Sequence, residues 1–112
     1  MQPQLDLSPD ALSAFTDADT DAPQQAARFL KSLAHRDRLK ILCSLLDGEL
    51  AVAAIETKVG ASQSAISQHL MRLKEEEIVT ARRDGRQIFY SISDPMVQSM
   101  IELLYLRFCA TD

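Results

Sequence analysis

The two thiols of this sequence, Cys43 and Cys109, stand 66 positions apart, and a thiolate can serve as nucleophile, metal ligand or half of a disulfide. Neither carries a sign of activation in its neighbours. Lys40, one turn before Cys43, favours a thiolate, but Asp47 one turn after opposes it, and the flanking leucines suit a small core residue equally well. Cys109 falls at the carboxyl end of an apolar run, where a helix dipole disfavours an anion, and Arg107 lies off its face. No Cys-x-x-Cys and no βαβ pattern is present, which excludes the usual thiol oxidoreductase. The two histidines, His35 and His69, are as scattered as the thiols and supply no metal-ligand spacing, so no metal and no cofactor is expected. Glu75-Glu76-Glu77 reads as a solvated helix end, and without a pocket motif it does not make an acid–base pair; no enzyme is indicated.

A second set of residues is suited to nucleic acid. The net charge of −4 opposes DNA binding only if the chain is taken as a whole. Residues 58–90 hold six basic side chains against four acidic ones, whereas residues 1–57 hold five against nine and residues 91–112 one against three. Within the basic middle, Gln63, Ser64, Ser67 and Gln68 offer donors and acceptors for base edges, with His69 and Arg72 beside them. Arg82, Arg83 and Arg86 surround Asp84-Gly85 as cations suited to phosphate. His69, next to an apolar stripe, is open to either packing or a DNA contact.

The elements that must position these groups follow from periodicity and punctuation. Ser8-Pro9 predicts a short first helix near 9–18, and an acidic linker follows it. A second helix opens at Pro23 with Ala26, Phe29, Leu30 and Leu33 at helical spacing, and His35 is expected to end it. Arg38–Leu46, apolar on most sides, predicts a buried helix that stops at Gly48. Leu50–Val59 reads as a short helix, Gly60 and Ser62 as a turn and cap, and Gln63 to about Glu76 as the next helix, with Ile66, Leu70 and Leu73 inward; this is a helix-turn-helix. Ile78–Arg83 and Arg86–Ile92 read as strands joined by a two-residue turn at Asp84-Gly85. Asp94-Pro95 caps a last helix carrying Met96, Val97, Met100, Ile101, Leu103, Leu104, Leu106 and Phe108, more apolar surface than one core can cover, and a partner subunit is the simplest cover for the rest.

The segments LKSLAHRDRLKIL, GASQSAISQHLMRL and RRDGRQIFYSI, in this order and spacing, resemble the ArsR/SmtB family of winged-helix repressors from about Leu30 to Ile92. The resemblance implies a symmetric dimer joined through the first and last helices, with Gln63, Ser64, Ser67, Gln68 and His69 in or near the major groove and the wing along the backbone. Many members of that family sense metals, and here the sequence departs from them. The cysteine-bearing ELCVC box reads Glu49-Leu50-Ala51-Val52-Ala53, and on the last helix Asp94 stands with Met96 while Arg107 and Ala110 occupy the other ligand positions. What remains, Cys43 with Cys109, is similar to the arrangement in the dithiol persulfide sensors of the family. This implies a repressor whose two thiols are joined by reactive sulfur species and which then releases the operator of sulfide-metabolism genes.

The sequence therefore predicts a mainly α fold with a small β-hairpin wing, a winged helix-turn-helix of about five helices, dimeric. Residues 1–22 form an acidic segment with a short dimerisation helix, and residues 23–112 the winged domain with a carboxyl-terminal dimerisation helix. The expected partners are double-stranded operator DNA, a second copy of the chain and a reactive sulfur inducer. Five aspartates and no basic residue before Pro23 exclude a signal peptide, and no apolar run approaches membrane-spanning length, so a cytoplasmic protein without a membrane partner is expected. A peroxide-responsive dithiol repressor and a winged-helix protein-interaction adaptor stay open as alternatives.

Overall fold

The computed structural model describes residue 5 and residues 7–110. The chain forms two compact units that meet in sequence between Leu33 and Ala34. The amino-terminal unit holds two helices, α1 (Pro9–Thr16) and α2 (Ala22–Leu33). Ser8 caps α1, its hydroxyl oxygen accepting from the Ala11 N–H at 3.3 Å, and Pro9 takes the first turn, where its missing N–H costs nothing. Thr20 starts α2 in a similar way by accepting from the Ala22 N–H at 3.2 Å.

The second unit contains α3 (Arg36–Ser44), β1 (Leu50–Ala51), α4 (Val52–Val59), α5 (Gln63–Glu75), β2 (Val79–Asp84), β3 (Gln87–Ile92) and α6 (Pro95–Phe108). Its core is made of Ile41, Leu42 and Leu45 of α3 and its end, Ile55 and Val59 of α4, Ile66, Leu70 and Leu73 of α5, and Val97 and Ile101 of α6, with Ile78 and Val79 at the foot of the hairpin. These positions recur at three- and four-residue intervals, so each helix buries one stripe and leaves the other in water. Among the described residues no buried side-chain nitrogen or oxygen lacks a hydrogen-bond partner. No described helix is long and apolar enough to cross a membrane.

The helix-turn-helix is punctuated as the residues dictate. Gly60 ends α4 in the left-handed region, at φ 76°, and the Ser62 hydroxyl oxygen accepts from the Ala65 N–H at 3.2 Å to start α5. Lys40 of α3 donates to the Val59 carbonyl at 2.9 Å, placing a cation at the carboxyl end of α4.

The fold is mainly α with a hairpin wing, as expected, and the described residues form six helices. Three expectations are corrected. His35 does not end α2 but caps α3, its Nδ1 accepting from the Asp37 N–H at 3.1 Å. Leu50 and Ala51 are not helical: they are extended and pair antiparallel with Tyr90 and Phe89, giving a three-stranded sheet in the order β1-β3-β2. The hairpin turn lies one residue later than expected, because Asp84 pairs with Gln87 and leaves Gly85 and Arg86 as the connection. Gly85 takes the positive φ, 64°, and Arg86 is thereby set at the tip.

Candidate nucleic-acid interface and thiol pair

Along α5 the burial of Ile66, Leu70 and Leu73 turns Gln63, Ser64, Ser67, Gln68, Met71 and Arg72 to the exposed side. The outward positions thus carry two carboxamides, two hydroxyls and a guanidinium, a set able to read base edges and hold phosphate. His69 departs from this row. It is half-buried, its ring centroid lies 4.5 Å from that of His35 at a tilt of 54°, and its Nδ1 accepts from Arg38 Nε at 3.2 Å. Burial pushes its pKa below the ordinary imidazole value; His35 and Arg38 push the same way, and Asp37 pulls back.

His35, Asp37 and His69, far apart in sequence, are not scattered: their donor atoms lie within 4.8 Å of one another. The surrounding bonds do not suit a cation. Both Nδ1 atoms already accept N–H groups, which assigns the ring protons to the Nε2 atoms, and the Arg38 guanidinium adds a positive charge beside the site.

The wing divides its three arginines. Arg82 is engaged by Glu49, with Nε donating to Oε2 at 3.0 Å and Nη2 donating to Oε1, while its guanidinium lies over the Phe89 ring at 4.7 Å. The pair holds the Glu49 carboxyl below its usual range and raises the Arg82 pKa. Arg83 and Arg86 are exposed, and neither forms an ion pair with another described residue. Arg86 and Gln87 meet Gln63, at the start of α5, across a cleft of about 270 Å³ that Val52 and Glu56 of α4 also line. Sequence reasoning passed over Gln87, Glu49 and Arg38. Polar types near the wing were the only signal for the first, and no local signal marked the other two.

Cys43, half-buried on α3, and Cys109, exposed as the C-cap of α6, are both free. The structure brings them to one apolar pocket of about 270 Å³, walled by Leu39, Ile101, Leu104, Tyr105 and Phe108. Burial, and secondarily the nearby Cys109, push the Cys43 thiol up, so Cys43 is mostly protonated at neutral pH. Lys40 and Lys58 rim an adjoining shallow surface beside both sulfur residues.

Residues 35–81 match the family described as bacterial regulatory protein, arsR family. The transcriptional activator HlyU of Vibrio cholerae serotype O1 is 42% identical over 76% of this chain and 79% of its own length. Among solved structures, the reduced form of HlyU from Vibrio cholerae N16961 superposes with a TM-score of 0.75 at 41% identity, covering 79% of this chain and 93% of that one. The transcriptional repressor BigR from Xylella fastidiosa gives 0.77 at 31% identity, covering 94% and 100%.

Proposed function

The chain belongs to the ArsR family of DNA-binding transcriptional regulators, which are not enzymes, and from that premise we propose that it is a dimeric repressor switched by reactive sulfur at Cys43 and Cys109. The observation that carries this reading is the shared pocket: two thiols from different helices face one apolar space.

Gln63, Ser64, Ser67 and Gln68 enter the major groove, while Arg72, Arg83 and Arg86 hold phosphates. Arg82 acts first on Glu49 and contributes less to DNA than its two neighbours. His69, turned toward Arg38, contacts DNA only at its margin. A second copy covers the outer face of α6, where Leu103 and Leu106 are 65% and 61% exposed. Such a dimer presents two recognition helices to half-sites about 34 Å apart on an inverted repeat.

The covalent step balances without an added oxidant when the inducer is a polysulfide, RS–S–SR. The exposed Cys109 thiolate attacks the central sulfur and expels RS⁻, forming a mixed trisulfide. The Cys43 thiolate then attacks that same sulfur and expels the second RS⁻, leaving Cys43 and Cys109 joined through one inserted sulfur. The two thiol protons leave as 2 RSH; the protein dithiol is oxidised and the polysulfide reduced. Persulfides supply the same reagent, since 2 RSSH gives RSSSR and H₂S. Each inserted sulfur extends the reach of the bridge by ~2 Å, so a gap too wide for a direct disulfide selects polysulfide over peroxide. The bridge ties α3 to α6 and shifts the dimer, which weakens operator binding.

Mass spectrometry after treatment with inorganic polysulfide or with peroxide tests the reading. The expected product is an intramolecular Cys43–Cys109 crosslink heavier than a disulfide by whole sulfur atoms, with little crosslink from peroxide, and brief alkylation of the untreated protein should label Cys109 ahead of Cys43. A crosslink formed only between subunits, or formed equally by peroxide, overturns it.

A further inference from the structure

A second groove opens on the same side of α5 as the outward row, away from the wing. It encloses about 270 Å³ and is lined by Arg38 of α3 and by Gln68, His69, Met71 and Arg72 of α5. We propose that this groove is a binding site for a DNA backbone phosphate, held by Arg38 and Arg72, with His69 as the residue that positions Arg38. The inference rests on the assignment of α5 as the DNA-reading helix and adds a contact that the sequence did not disclose.

Three observations carry it. The first is chemical: the lining supplies two guanidinium groups and a carboxamide, and among the described residues no carboxylate lines it, which suits a tetrahedral anion. The second is placement. Gln68 and Arg72 are four residues apart and exposed on one face of α5, so the groove continues the line of Ser64 and Gln68 toward the carboxyl end of the helix. Arg38 comes from another element, as a backbone contact beside a recognition helix should.

The third is span. The wing cleft meets α5 at Gln63, and this groove meets it from Gln68 to Arg72, the guanidinium-bearing residue standing nine residues or roughly 13 Å further along the axis. The major groove of B-DNA is about 12 Å wide. Phosphate contacts at the two ends of α5 therefore fall on the two walls of the groove that the helix enters, with Arg83 and Arg86 on one strand and Arg38 and Arg72 on the other. The bond from Arg38 Nε to His69 Nδ1 at 3.2 Å fixes the guanidinium plane before DNA arrives, which lowers the ordering cost of the contact.

Fluorescence anisotropy over a salt series tests this, using the full chain with a duplex from its own promoter region and an unrelated duplex of equal length. Arg38→Gln should weaken both duplexes by a similar factor, about 5- to 20-fold near physiological salt, and should reduce the slope of log K against log salt by about one. Arg38→Lys should recover most of the slope. His69→Leu should weaken binding severalfold, and His69→Gln, whose amide oxygen can accept the same hydrogen bond, should recover most of that loss. Arg83→Ala serves as the reference: if it weakens binding while Arg38→Gln leaves the salt slope intact, the groove proposal is wrong and the DNA face stands. If neither changes binding, the assignment of the face itself fails. A loss in Arg38→Gln confined to the promoter duplex, with the slope unchanged, would also overturn the phosphate role.

Discussion

The outward row of α5 carries hydroxyls, amides and a guanidinium, with Met71 as its one apolar member, all exposed, whereas the space between α3 and α6 is walled by Leu39, Ile101, Leu104, Tyr105 and Phe108 around two thiols. In the proposed reading the first region works through many weak, reversible contacts in water, each adjustable without disturbing the fold. The second, in the same proposal, works through one covalent event in an apolar setting, where a half-buried thiol is held protonated and a bridge would pull on two packed helices. DNA affinity should therefore yield in small steps to surface changes. The response to sulfur should be lost all at once when either cysteine is removed.

The separation is broken most severely from beneath α5. Ile66 is fully buried under the outward row, and Ile66→Ala should cost roughly 2–5 kcal/mol of stability through lost burial and the cavity left behind. Urea unfolding measures this, and a loss under about 1 kcal/mol would contradict the packing of that helix. On the outward side, the double variant Arg83→Ala, Arg86→Ala should weaken DNA binding by about tenfold or more and reduce the salt slope by about two, with alkylation rates at both cysteines unchanged. A changed cysteine rate would show that the two regions are not separable.

How much of this was legible in the sequence depends on the range of the interaction. The caps at Ser8, Ser62 and Asp94, the prolines that follow two of them and the stripe of Ile66, Leu70 and Leu73 are local signals, and the structure realises each. The cap at His35, which accepts from the Asp37 N–H two residues on, is a local signal misread, and the other misreadings are non-local. Leu50 and Ala51 are extended because Tyr90 and Phe89, some forty residues away, offer a ladder, and a two-residue strand has no periodicity of its own. The hairpin turn moved by one residue because the register between β2 and β3 governs which pair closes the loop. The Arg82–Glu49 pair spans 33 positions and the Arg38–His69 bond 31, so composition near the wing marked Arg82 as a phosphate ligand while its partner stayed hidden. The thiol pair was singled out through the family resemblance, and its common pocket is a tertiary fact.

Smaller effects sharpen the picture at its edges. Glu49→Gln removes the charge that holds Arg82, so DNA affinity should rise about two- to fivefold with a steeper salt slope, and unchanged affinity would mean that Arg82 stays over Phe89 in either case. The smallest effect expected is a pH dependence. The His69 pKa is lowered in the folded chain, so in the window just below the ordinary value of 6.5 the unfolded chain binds more protons than the folded one. The stability tied to neutral His69 is present above that value and is lost as pH falls through the window. The drop in melting temperature between pH 7.5 and pH 5.5 should be smaller in His69→Gln than in the unsubstituted chain; an equal drop would contradict the assignment.

Operator affinity before and after treatment with inorganic polysulfide, and again after reduction with dithiothreitol, tests most directly whether the apolar thiol region governs the polar DNA face. The unsubstituted chain should lose roughly 5- to 150-fold in affinity, the range of a coupling of 1–3 kcal/mol, and should recover it on reduction. Cys43→Ser and Cys109→Ser should each bind the untreated operator normally and not respond. Release of DNA by polysulfide in either serine variant, or undiminished affinity in the crosslinked chain, would contradict the account.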